Sequence, residues 1–136
     1  MNLVDAMAIS ASGMRTQGTR LRIVSENIAN AQSTAREPGG EPYRRKTVTF
    51  ANEFDRARGV DLVTVDRIAR DLGEFERAHD PTHPAADAEG YVLMPNVQVL
   101  VEMMDMREAQ RSYEANIRSM TTARTMLMNT VDLLRG

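Results

Sequence analysis

Val97 to Arg135 reads VQVLVEMMDMREAQRSYEANIRSMTTARTMLMNTVDLLR, a stretch with no Pro and no Gly. Val99, Met106, Tyr113, Met120, Leu127 and Leu134 recur every seven residues. Met103, Gln110, Ile117, Arg124 and Val131 form a second series, each four residues after a member of the first. That is the a/d spacing of a coiled-coil seam, so the stretch predicts one long helix. Pro95-Asn96 offers a stop and an N-cap before it, and Gly136 closes it.

Leu3 to Ala31 repeats the pattern at the other end of the chain. Met7, Met14, Leu21 and Ile28 make one heptad series, and Leu3, Ser10, Gln17, Val24 and Ala31 make the other. Asn2 is placed to cap this helix, with Asp5 at the N3 position beside the positive helix end. Gly13 and Gly18 sit inside it, each costing about 1 kcal/mol relative to Ala. Ser10 and Gln17 add little burial to the seam. The expectation is that the terminal helices are weakly ordered in the lone chain and become firm on assembly.

Between the helices the material changes. All five Pro, and five of the eight Gly, fall between Gln32 and Pro95. Glu37-Pro38-Gly39-Gly40 is a turn and Asp80-Pro81-Thr82-His83-Pro84 a loop. Tyr43–Phe50 and Val60–Ile68 read as strands, with Gly90–Met94 as a short extended piece. The expected fold is mainly α with a small β-rich insert: two long terminal helices forming an antiparallel coiled-coil hairpin, closed by a short β and irregular central domain. The divisions fall at residues 1–32, 33–95 and 96–136. At 1.5 Å per residue the helices run about 45 and 60 Å, against a diameter under about 40 Å for a globule of this length. An elongated object follows, with much of each helix needing cover from elsewhere.

Composition narrows the chemistry. Ten Met and only six aromatic residues suit helix–helix seams better than a dense globular core. The chain has no Cys, which excludes disulfides, thiolate catalysis and Cys-bound metal. A net charge of −2 gives no overall field for nucleic acid. Arg44-Arg45-Lys46 beside Tyr43 is too short a basic run to change that, and a solvated strand face or an axial contact is the better reading. The first residues carry no basic segment followed by an unbroken apolar one, and no apolar run reaches the ~18 residues of a membrane span. His79, Asp80, His83 and Asp87 have ligand chemistry, yet Pro81 and Pro84 interrupt them and no further His exists. No nucleophile–base constellation or phosphate-binding loop appears. Neither catalysis, nor a cofactor, nor nucleic-acid binding, nor membrane spanning is expected.

Ser25-Glu26-Asn27-Ile28-Ala29-Asn30-Ala31 holds an Asn-x-Ala-Asn signature that resembles the one near the N-terminus of bacterial flagellar rod and hook proteins. Gly40-Glu41-Pro42-Tyr43-Arg44-Arg45-Lys46 and Asp80-Pro81-Thr82-His83-Pro84-Ala85-Ala86-Asp87 follow in order. So do Glu89-Gly90-Tyr91-Val92-Leu93-Met94-Pro95-Asn96-Val97 and Arg111-Ser112-Tyr113-Glu114-Ala115-Asn116. In order and spacing they resemble the proximal-rod members of the flagellar axial family over essentially the whole chain. The resemblance implies export through the flagellar type III apparatus without signal-peptide cleavage. It also implies helical assembly in the periplasm, with copies of itself and other rod proteins, into a torque-transmitting tube. The terminal helices would form the wall around the export channel.

Within that frame Asn27 and Asn30 are expected to shape the helix end, since Asn tolerates the left-handed conformation. Tyr43, Arg44, Tyr91 and Asn116 join them and the heptad residues as candidate packing positions. Arg124 at a seam position calls for a carboxylate or carbonyl from a neighbouring subunit, or for a snorkelling side chain at the seam edge. Two other readings remain open on the residues alone: a coiled-coil adaptor or chaperone-like module, and a metal enzyme built on the His79–Asp87 loop.

Overall fold

A computed structural model describes residues 2–136. Helix α1 covers Leu3–Ala29 and helix α2 covers Val99–Arg135. Between them lie β1 (Lys46–Asp55), β2 (Val60–Arg70), β3 (Glu76–His79) and β4 (Tyr91–Met94). The chain is thus mainly helical, with a small β region of two two-stranded sheets, β1–β2 and β3–β4.

The start of α1 forms as its sequence requires. Asn2 Oδ1 accepts from the Asp5 N–H at 2.8 Å, and Asp5 Oδ2 accepts from the Asn2 N–H at 3.0 Å. Two orphan donors are satisfied reciprocally. The other end differs from expectation: among the described residues none other than Gly has a positive φ, so neither Asn27 nor Asn30 takes the left-handed conformation. Asn30 instead ends the helix through its side chain, donating to the Glu26 carbonyl at 2.9 Å and accepting from Ser33 Oγ at 3.0 Å. Helix α2 begins two residues after the expected Val97, with the Glu102 N–H bonded to the Gln98 carbonyl at 3.1 Å. Asn96 is not its cap: it lies three residues before Val99, and its Oδ1 accepts instead from the Arg45 N–H at 2.8 Å.

Strand β1 starts later than Tyr43 and runs on to Asp55. Residues 56–59 join it to β2, a link short enough to impose antiparallel pairing. Asp55 Oδ1 accepts from the N–H groups of Ala57 and Arg58 there, and Gly59 supplies a φ of 68°. Strand β3 went unanticipated, because Glu76-Arg77-Ala78-His79 carries none of the usual strand composition. It pairs antiparallel with β4, Arg77 opposite Leu93 and His79 opposite Tyr91.

Two compact units divide the chain. The first comprises Met1–Leu21, Thr49–Arg67 and Arg107–Gly136; the second comprises Arg22–Val48 and Ile68–Met106. Among the described residues, Ile23, Val24, Ala85 and Val92, with Pro42 and Pro95, are the buried apolar residues of the second unit, and Ala109 and Ala123 those of the first. No aromatic ring is among them.

On α2 the covered stripe is not the expected one. Met106, Tyr113, Met120 and Leu127 are half-buried as one heptad series, while Val99 and Leu134 at its ends are exposed. The second series lies one residue earlier than predicted: Glu102, Ala109 and Ala123 are buried and Asn116 half-buried. Met103, Gln110, Ile117, Arg124 and Val131 all face out. Fit decides this, because small or hydrogen-bonding side chains permit the closer approach and the bulky apolar series is left uncovered.

Candidate assembly surface

The first unit brings α1 and α2 together at small residues. A Cβ at Gly13 would stand 2.7 Å from Asn116 Oδ1, so any larger residue there would force the Asn116 amide to move. Ser10 Oγ donates to Ser119 Oγ at 3.1 Å, and Arg20 reaches Glu108 at 3.5 Å. Residue numbers rise along α1 through these contacts as they fall along α2. A second face of α1 meets β2, where Ser12 Oγ accepts from the Val63 N–H at 3.2 Å while donating to the Ile9 carbonyl. Met7 and Met14 are half-buried on α1, like Tyr113 and Met120 on α2. Gln17 Oε1 is buried and has no hydrogen-bond partner among the described residues.

The second unit is organised around Asn27, 1% exposed. Its Nδ2 donates to the Lys46 carbonyl at 2.8 Å and to Glu102 Oε2 at 3.0 Å. Its Oδ1 accepts from the Lys46 N–H at 2.9 Å and from the Tyr43 hydroxyl at 2.8 Å. Every donor and acceptor position of the amide is therefore used. One side chain ties the last turn of α1, the start of β1 and the first turn of α2.

Glu102 is fully buried and bonds to Arg45, which also lies 3.6 Å from Asp71 and 3.9 Å from Asp105. Burial works against the Arg45 charge, but the bond to Glu102 and the charges of Glu102, Asp71 and Asp105 outweigh it and hold its pKa above the usual value. Burial, then the charges of Glu26 and Glu102, push the Tyr43 phenol up against a smaller opposing pull from Arg70. Lys46 pairs with Glu26. Arg44 donates to the carbonyls of Asp71 and Gly73 at 3.0 and 3.1 Å and stacks over Phe75. Of the two placements expected for the basic run, a solvated strand face or an axial contact, the first does not hold, because Glu26, Glu41, Asp71, Glu102, Asp105 and two loop carbonyls engage it inside the unit. Ile28 is half-buried and Val24 buried here, while Leu21, half-buried, belongs to the first unit.

The loop before β4 is held by its own polar groups. Asp87 Oδ1 accepts from the N–H groups of Glu89 and Tyr91, and Arg77 bonds Asp87 Oδ2 at 3.0 Å. The backbone N–H of Tyr91 contributes most to holding the Asp87 carboxyl below the usual range. His83 lies between Thr34 Oγ1 and the Ala85 N–H. Tyr91 is exposed between His79 and the Arg77 guanidinium. Among the described residues, no group of three or more His, Asp or Glu is placed to hold a metal ion, and no helix is long and apolar enough to cross a membrane.

What remains is a large uncovered apolar surface on α2. Leu100, Met103, Met104, Ile117, Met126, Met128, Val131, Leu133 and Leu134 are exposed, the last two at 83%. Leu100, Met103 and Met104 belong to the second unit and the others to the first, where Ile117 and Val131, two heptads apart, lie on one side of the helix.

Residues 88–133 match a family model described as flagellar basal body rod FlgEFG protein C-terminal. Over 134 residues the chain is 55% identical to the flagellar basal-body rod protein FlgC of Agrobacterium fabrum, covering 98% of this chain and 96% of the relative. It is 36% identical to FlgC of Bacillus subtilis, with 98% and 99% covered, and 36% identical to FlgC of Salmonella typhimurium, with 98% of both covered.

Proposed function

Because this chain belongs to the FlgC family of flagellar basal-body rod proteins, and so is a structural subunit of the basal-body rod, we propose that it forms part of the proximal rod and works without catalysis. In this reading α1 and α2 pair antiparallel as a coiled-coil hairpin and, with copies of the chain and other rod proteins, wall the export channel in the periplasm. The chain reaches that site through the type III export apparatus without signal-peptide cleavage. Torque then passes through subunit contacts.

The observation that carries the proposal is the bare face of α2. In the first unit Ile117 and Val131 are exposed one residue over from the covered stripe, with Arg124 between them. A face of that kind is stable in water only at a cost and is covered when neighbours pack on it. Arg124 is the group on it that would meet a carboxylate or carbonyl of a neighbouring subunit. The descending pairs Ser10–Ser119, Gly13–Asn116 and Arg20–Glu108 support the antiparallel pairing.

Ile117→Glu tests the reading, since the site is exposed and the change should leave the fold intact. Unchanged melting of the purified protein, with loss of motility in cells, is expected. Normal motility with Ile117→Glu and Arg124→Leu combined would defeat the proposal that this face is an inter-subunit contact.

A further inference from the structure

In the second unit the segment that follows α1 faces the loop before β4 across an open cavity of about 250 Å³. Ala35, Gly39 and Gly40 line it from one side, Ala85 and Asp87 from the other. His83 bridges the two. It is half-buried in the loop, with Nδ1 3.0 Å from the Ala85 nitrogen and Nε2 3.1 Å from Thr34 Oγ1.

The Ala85 N–H can only donate, so Nδ1 accepts and carries no proton. The proton of the neutral ring therefore sits on Nε2, and Thr34 Oγ1 accepts it. A second proton would have to go to Nδ1, where it would face the Ala85 N–H, donor against donor. The charged ring cannot keep this place.

The same turn offers another. The His83 N–H bonds the Asp80 carbonyl at 3.2 Å, which closes the turn that carries the Asp80 carboxyl. That carboxyl is held below the usual range first by the Thr82 hydroxyl, with smaller contributions from the charges of His83 and His79. Asp87 and Glu89, the other acids of the loop, lie against Arg77. Arg36 and Glu37, on the segment that carries Thr34, are exposed.

We propose that His83 is an acid-sensitive latch: the neutral ring ties residues 31–42 to the loop before β4, and the charged ring leaves Thr34 and Ala85 for the Asp80 carboxylate, freeing that segment. Imidazoles change charge between about pH 5 and 8, so the tie is complete above that range and lost below it. The latch lies within the second unit and is independent of the rod-subunit reading.

Amide hydrogen exchange of the full-length chain at about pH 7.5 and about pH 5.5, corrected for the intrinsic rates, tests it. Protection of the Ala85 N–H and of the amides of residues 34–40 is expected to fall about fivefold on acidification, the scale of one lost hydrogen bond. His83→Gln should abolish the pH response, and His79→Gln should leave it in place. Thr34→Val should loosen residues 34–40 at both pH values while the Ala85 amide still responds to acid. Equal protection at both pH values in the unaltered chain, a response that survives His83→Gln, or one abolished by His79→Gln overturns the latch. So does a nitrogen-15 spectrum that puts the ring proton of His83 on Nδ1 at about pH 7.5.

Discussion

Asn27 and Glu102 meet inside the second unit, the amide nitrogen 3.0 Å from Oε2, with both side chains buried. Truncating the amide would remove four hydrogen bonds at once and leave Glu102 dependent on Arg45 alone. Asn27→Ala is expected to cost roughly 2–4 kcal/mol of unfolding free energy in urea titration. Asn27→Asp should be worse, because it sets a second carboxylate beside Glu102. A loss below about 0.5 kcal/mol for the Ala variant would show that the network does not hold the unit together.

Gly13 and Gly18 should respond oppositely to alanine. At position 13 the new methyl meets Asn116, so Gly13→Ala is expected to cost roughly 1–3 kcal/mol. At position 18 the space is open, so Gly18→Ala should stabilise the lone chain by up to about 1 kcal/mol. Equal effects in chemical denaturation would contradict the close approach of the two helices at Gly13.

The Tyr43 phenol gives the second unit a dependence on alkaline pH. Its folded pKa is raised above 10.0, first by burial and then by Glu26 and Glu102. The stability it contributes is therefore complete below about pH 10 and lost as pH rises through the folded pKa. Tyr43→Phe should be less stable at neutral pH, lacking the bond to Asn27, but should show a shallower alkaline fall in melting temperature. Identical alkaline slopes for the two proteins would count against the coupling.

Gln17 offers a gain rather than a loss. Its Oε1 is buried without a partner among the described residues, and an unmet buried acceptor costs about 1–3 kcal/mol. Gln17→Met, close in volume, is expected to raise the melting temperature of the isolated protein. A drop would indicate that the amide has a role in packing that its hydrogen bonds do not reveal.

The helices were legible because heptad repetition and an Asn2/Asp5 cap are local signals, and α1 indeed starts at Leu3 and α2 ends at Arg135. The register of α2 was not. Bulk and hydropathy favoured Met103, Ile117 and Val131, whereas packing selected Glu102, Ala109, Asn116 and Ala123, whose value lies in small size or in a distant partner. Glu102 is the sharpest case: a carboxylate reads as surface until Arg45 and Asn27 are known to converge on it. Glycine at position 13 looked like a weakness of the helix, and only the position of Asn116 shows its use. Strand β3 was hidden because its pairing with β4, rather than its own composition, makes it extended. The Asn-x-Ala-Asn signature pointed to the right family, while the work Asn27 does is long-range and has no sequence signal.

The chain has a structural role in the flagellar rod. Deleting the gene and examining basal bodies by electron microscopy tests it most directly, alongside swimming in soft agar. Expected are cells without completed rods, hooks or motility, restored by the wild-type gene and not by a copy lacking the α2 residues from Met126 onward. Complete basal bodies and normal swimming in the deletion strain would contradict it.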